Sequence, residues 1–253
     1  MRIHAAFIII FLPVIALAGT LDETRHLELS AASIRTMKIQ CGSGFLTLIG
    51  VKGIDRIRAT AQIEVKGIQE NEFQKYLEKQ LLLSLEKRGK DAVLQADFKK
   101  SFLKKIEAKI NLTVKVPRTL AVTIEDGSGA IMATNLAGGL KLDDGSGSID
   151  IINMEGKIKI ADGSGRIDIE DVRGNVEVQD GSGHIKISLI KGNVSITDGS
   201  GSITVQDIDG NVTLTDGSGS IEIQAVTQNV FINAAGSGAV EIEGVKGKVT
   251  VRD

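Results

Sequence analysis

The chain of 253 residues has one cysteine, two prolines, three histidines, one tyrosine and no tryptophan. Each scarcity excludes something. Cys41 stands alone, so no intrachain disulfide can form. Of the histidines, His4 lies in the leading apolar segment, which leaves only His26 and His184. That is too little for a His-rich metal site or a Ser-His-Asp triad. Aromatics make up 3% of the chain, and residues 126–253 hold only Phe231, so no row of stacking platforms for a sugar exists. The formal net charge of -2 lacks the basic excess that marks a nucleic-acid binder. H-E-x-x-H, G-x-x-x-x-G-K and G-x-S-x-G are all missing. We therefore expect no catalytic residue and no cofactor.

Long apolar runs are also scarce. The first 18 residues, MRIHAAFIIIFLPVIALA, combine a charged start at Arg2, a short apolar run and an Ala16-Leu17-Ala18 cleavage signal. They read as a secretory signal peptide over residues 1–18. No Cys follows the run to carry a lipid, and no later stretch is apolar enough to span a bilayer. The expectation is export to the periplasm or cell surface, with no stable membrane insertion after cleavage.

What the chain has in abundance is glycine, 29 residues, together with Ile and Val. The word DGSG begins at Asp126, Asp144, Asp162, Asp180, Asp198 and Asp216, always 18 residues apart. With Asp as position 1, the unit DGSGRIDIEDVRGNVEVQ puts Ile167, Ile169, Val172, Val176 and Val178 at positions 6, 8, 11, 15 and 17. Gly174 is at position 13. A seventh unit starts as AGSG at Ala235, displaced by one residue that the sixth unit carries near Asn233 or Ala234. Period-two alternation at positions 6 and 8, and again at 15 and 17, predicts two short strands per unit. A fixed repeat of this length implies a solenoid whose coils bury their apolar positions on one another. The prediction is an all-β fold, a right-handed parallel β-solenoid of seven coils over 126–253, with handedness taken from the usual crossover rule. DGSG would be the corner that each coil turns.

Residues 19–125 read as a β-rich region that caps the solenoid. CGSGFLTLIGVKG from Cys41 fits the coil template, with Leu46, Leu48, Val51 and Gly53 at positions 6, 8, 11 and 13. Phe73, Leu77, Leu81 and Leu85, spaced by four, predict one amphipathic helix over about 70–88. Lys99, Lys100, Lys104 and Lys105 form a basic cluster, read as a solvated loop.

The string IQCGSGFLTLIGVKG, the helix, LTVKVPRTLAVTIEDGSGAI and the serial GSG-x-I-x-I units resemble, in that order, the DUF4097 family, provisionally named for adhesins. The likeness runs from about residue 30 to 253 and implies a bacterial exported β-solenoid. The regular Asp at position 1 departs from the family pattern, which accepts other small polar residues there.

Two ladders follow from stacking in register. Asn175, Asn193, Asn211 and Asn229, at position 14, would form a structural amide ladder. Asp126, Asp144, Asp162, Asp180, Asp198 and Asp216 would line one corner about 4.8 Å apart. The preferred account is that each carboxylate is capped by the N–H groups of its own Gly-Ser-Gly turn. The alternative is a row of Ca²⁺ sites in the manner of a calcium β-roll. For function, the sequence favours a non-enzymatic adhesion or interaction module of the cell envelope, acting as a monomer on an unidentified surface or envelope ligand. The alternative is a periplasmic structural or envelope-stress protein without external ligand.

Overall fold

The structure is a computed structural model that describes residues 19–99 and 106–252. The expected signal peptide, and Lys100, Lys104 and Lys105 of the basic cluster, lie outside the described residues. Two eleven-stranded sheets face each other across one apolar core. Each repeat contributes one strand to each sheet. Residues at the same repeat position pair directly, as in Ile167↔Ile185↔Ile203 on the first sheet and Val176↔Val194↔Val212 on the second. The solenoid and its 18-residue coil are thus as the sequence predicts.

The strand lengths differ from two equal short strands. The first-sheet strand of a coil runs nine residues, as in Gly165–Arg173, and the second-sheet strand five, as in Val176–Asp180. The odd step from position 8 to position 11 has a backbone cause. Asn135, Asn153, Asp171, Leu189, Asp207 and Ala225, all at position 10, have φ between 53° and 62°. This left-handed residue drops out of the ladder, where Glu170 pairs with Ser188 and the next pair is Val172 with Ile190. Positions 9 and 10 both face outward, and Leu136, Met154, Val172, Ile190, Ile208 and Val226 return to the core. The extra residue of the sixth unit appears as the predicted irregularity. The register shifts after Leu214↔Ile232, so that Thr215 pairs with Ala234.

The N-terminal region is more than a cap. Thr36–Cys41 and Leu46–Val51 form a coil that lies next to Ala121–Asp126 and Gly129–Thr134 in the stack. On its other side lie Asp91–Phe98 and Glu107–Pro117. The template fits Leu46 and Leu48, both buried. It fails at Val51, which is half-buried, because this coil has no left-handed residue at position 10 and simple alternation continues through Gly50. Antiparallel Thr20–Ser30 and Arg56–Lys66 end the first sheet, and antiparallel Leu81–Arg88 ends the second.

The helix is shorter than expected. It covers Glu70–Gln80, burying Phe73 and Leu77, and Leu81–Arg88 is a strand. A spacing of four is a multiple of two, so Leu81 and Leu85 satisfy either period. The hairpin with Asp91–Phe98, closed at Gly89 (φ 65°), decides for the strand.

Two predictions follow from this packing. Ile185 is fully buried and neighbouring Lys186 exposed. Ile185→Asp should cost several kcal/mol by burying an unpaired carboxylate, and Lys186→Asp under about 0.5 kcal/mol. Equal shifts in the urea midpoint would refute the inward assignment. Gly183 has φ 146°, and a Cβ there would run into the Gly165 carbonyl oxygen. Gly183→Ala should therefore lower the melting temperature far more than Ser182→Ala in the same turn. Comparable melting curves would show that the corner backbone can yield.

Candidate functional site: a buried column of carboxylates

Positions 15 and 17 face inward, and the same alternation carries on through position 1 of the next unit. The second-sheet strand Ile158–Asp162 alternates buried and half-buried, and its last buried residue is Asp162. The repeated aspartates therefore point into the rod. Asp144, Asp162, Asp180, Asp198 and Asp216 are 4%, 8%, 8%, 4% and 1% exposed, while Asp126 is half-buried. They pair in one register from Asp126 to Asp216. Sequence reasoning placed these residues at the corner. Reading position 1 as position 19 of the preceding unit would have turned them inward.

Local capping is only partial. The Ser182 N–H donates to Asp180 Oδ1 at 3.3 Å and the Ser218 N–H to Asp216 Oδ1 at 3.2 Å. The turn glycines lie close enough to lower the carboxyl of their own unit, but their N–H groups are shared with the backbone. The N–H of Gly163 donates to the backbone carbonyl of Asp144, that of Gly181 to Asp162, and so on up the stack. At Asp144, Asp162 and Asp198 neither carboxyl oxygen has a well-aligned hydrogen-bond partner, and at Asp126, Asp180 and Asp216 one oxygen lacks one; the nearby turn N–H groups act on them only as misaligned dipoles. No ion pair among the described residues involves a member of the column.

The electrostatics follow from this geometry. Two unit charges about 4.8 Å apart repel by about 1 kcal/mol in water, and by about 3 kcal/mol at the effective dielectric of a protein. Desolvation, then repulsion from Asp126 and Asp162, pushes the Asp144 carboxyl up to about 7. Desolvation, then Asp180 and Asp216, pushes Asp198 up to about 6. Asp126, Asp162, Asp180 and Asp216 are raised as well, desolvation leading in each case. The N–H groups of the turns pull the other way. Cys41 occupies position 1 of the coil before Asp126. Burial, followed by the Asp126 charge, raises its thiol far above the ordinary range. As for the calcium alternative, the carboxylates stack in a line instead of converging. Among the described residues no group of three or more His, Cys, Asp or Glu is arranged to hold a metal ion.

The amide ladder lies at the opposite corner of the coil. Asn175 Oδ1 accepts from the Asn193 N–H at 2.9 Å, Asn193 Oδ1 from the Asn211 N–H at 2.9 Å, and Asn211 Oδ1 from the Asn229 N–H at 3.1 Å. Asn229 Oδ1 takes the Lys248 N–H at 2.9 Å. Every one of these contacts joins one coil to the next.

The outer face varies from coil to coil. Position 7 presents Met132, Asp150, Asp168, Lys186, Thr204, Glu222 and, after the one-residue shift, Glu241. Arg166 spans Asp150, at 2.7 Å, and Asp168. An open groove of about 260 Å³ crosses three coils, lined by Asp168, Glu170, Lys186, Leu189, Gln206 and Asp207 among others. The left-handed Leu189 is 48% exposed there, and Ile152 on the preceding corner row is 40% exposed. His184 at position 5 is half-buried, with Nδ1 2.7 Å from Ser202 Oγ. On the second sheet Lys157 and Lys159 hold the Glu177 carboxyl down to about 2.

Among curated proteins, none matches the sequence. Solved structures of similar fold include a candidate lipid-binding protein from Parabacteroides distasonis, at 14% identity and TM-score 0.46, covering 91% of this chain and 97% of that one. A candidate cell adhesion protein from Clostridium sporogenes matches at 12% identity and TM-score 0.34, over 88% of this chain and 99% of the other. A candidate adhesin from Bacteroides fragilis matches at 13% and 0.33, over 89% and 95%. The family model described as Toastrack DUF4097 matches residues 27–243, nearly the whole of the two-sheet stack, and the chain belongs to that family.

Proposed function

We propose that the protein is an exported, non-enzymatic β-solenoid that serves as an adhesion or interaction module of the bacterial cell envelope. The observation that carries this reading is the contrast between the two sides of each strand. The inward positions are nearly uniform Ile, Val and Leu, so one frame repeats from coil to coil. The outward positions on that frame vary along the stack and include the groove around Leu189, with acidic Asp168, Glu170 and Asp207 beside Lys186. A rigid rod with a non-repeating outer face can present several side chains at fixed spacing to a large ligand. Residues 1–18 would direct export. The groove is open and apolar at one point, which suits contact with an extended polymer or a protein surface better than enclosure of a small molecule.

Protease shaving of intact cells tests the location. Surface exposure should give cleavage of the protein in unbroken cells, and Leu189→Asp should weaken cell or matrix adhesion while leaving the melting temperature within about 2 °C. Protection until the outer envelope is opened would instead place the protein in the periplasm and favour a structural role.

The end of the rod bears on its assembly. Val240–Glu243 and Val249–Val251 are the outermost strands of the two sheets, and Val249 and Val251 are 41% and 46% exposed. Lys246, Lys248 and Arg252 surround them with charge that discourages edge pairing. Light scattering should find a monomer, with end-to-end association weak and favoured by salt. A stable dimer indifferent to ionic strength would overturn this.

A further inference from the structure

The column of aspartates is the one row in the stack whose charged form is unfavourable at every rung. Five members are more than nine-tenths buried, and Asp144, Asp162 and Asp198 carry two unpartnered oxygens each. The surrounding groups give no counter-charge. Along the second sheet the column meets only itself, the Cys41 thiol and, beyond Cys41, Asp97. The corners are Gly and Ser. The facing first-sheet strands contribute buried Ile149, Ile167, Ile185, Ile203 and Ile221. Arg166 and His184, at the start of two of those strands, make their contacts with Asp150 and Asp168 and with Ser202. At the far end the seventh unit has Ala235 in place of Asp.

We propose that the column is a proton-binding ladder: near neutral pH some rungs are carboxylic acids that donate their O–H to the unpartnered oxygen of a carboxylate on the next coil. The proton comes from solvent as the rod forms, and no other bond is made or broken. Each shared proton removes one buried charge and supplies two oxygens with a partner. A neighbour at the strand spacing is close enough for carboxyl oxygens to meet through modest side-chain rotation. The proton is thus the ligand of the site, held between coils where a calcium β-roll would hold a metal.

The sign of the pH dependence follows. A carboxyl in the unfolded chain titrates near 3.9, whereas in the rod burial and the neighbouring aspartates push Asp198 up to about 6 and Asp144 up to about 7. Folded-state values above unfolded ones mean that folding takes up protons. The stabilisation is complete below about pH 4 and is lost as pH rises through 6 to 7. The rod is therefore hardened by mild acid, the reverse of a protein held by ion pairs.

Urea unfolding of the protein between pH 5 and 8 tests the ladder, with infrared spectra of the ¹³C-aspartate-labelled protein read alongside. Below the pH at which a rung titrates in the rod, the unfolding constant should rise about tenfold per pH unit for each proton held, and it should level off above that pH. A labelled carboxylic-acid C=O band should be present at pH 6 and fade by pH 8. In Asp144→Asn/Asp198→Asn, whose amides keep the size and a donor, the pH slope should flatten and the variant should match or exceed the wild type at pH 8. Asp150→Asn on the outer face should leave both readouts unchanged. Stability that is flat or rises from pH 5 to 8, with no acid band at pH 6, would overturn the proposal. So would millimolar Ca²⁺ that abolishes the band and raises the melting temperature of the wild type but not of the double variant, because the column would then be a cation site.

Discussion

The structure depends on one constraint: each coil must lie on its neighbour in register, so that along the regular repeats a residue meets its own counterpart 18 positions away. A Gly, Ile, Asn or Asp is not placed once but stacked. Whatever a side chain gains or loses against a copy of itself is therefore multiplied along the rod. For Ile and Val the multiplied quantity is buried apolar area, favourable at each step. For Asn at position 14 it is an amide oxygen that meets the next coil's N–H, also favourable. For Gly at position 4 it is backbone-to-backbone approach that no Cβ permits. Asp at position 1 is the exception, since like charges meet and the interior offers no cation.

That exception separates the ladder from the rest of the frame. The apolar rows, the amide row and the glycine row all follow from packing and hydrogen-bond satisfaction. The carboxylate row works against both unless its charge is reduced. The two ends of the row are also chemically marked, with a raised thiol at Cys41 on one side and the methyl of Ala235 on the other. The column is thus a bounded set inside a longer stack, since the sheets continue past Cys41 to Asp91–Phe98 and past Ala235 to Val249–Val251.

Much of this was legible in the sequence, because an exact repeat reports its own register. The 18-residue coil, the inward Ile and Val, the extra residue of the sixth unit and the coil-like character of Cys41–Leu48 could all be read from spacing. What spacing could not supply was the backbone. Position 10 is Asn, Asn, Asp, Leu, Asp and Ala, and the Leu and Ala among them give no hint of a left-handed residue. The third inward place of the short strand was hidden because counting restarted at Asp. The helix was overextended because leucines four apart satisfy both periods, and only the partner strand resolves them. The interleaving of Thr36–Val51 between later segments is a non-local pairing, which no local pattern encodes.

The glycine corners carry a last consequence, for how such a rod can change length over generations. Because Gly183 sits against Gly165, and Gly201 against Gly183, with no room for a side chain, a partial coil would set a bulky residue against the neighbouring backbone. Along the regular repeats, insertions that keep every row in register come in whole units of eighteen codons, and the single extra residue of the sixth unit has to be absorbed by a register shift before the next corner. Each adds about 4.8 Å of rod, one more outer row of side chains and one more rung to every ladder. Reach and surface variety therefore grow in fixed steps by tandem duplication, and the interior needs no redesign at each step.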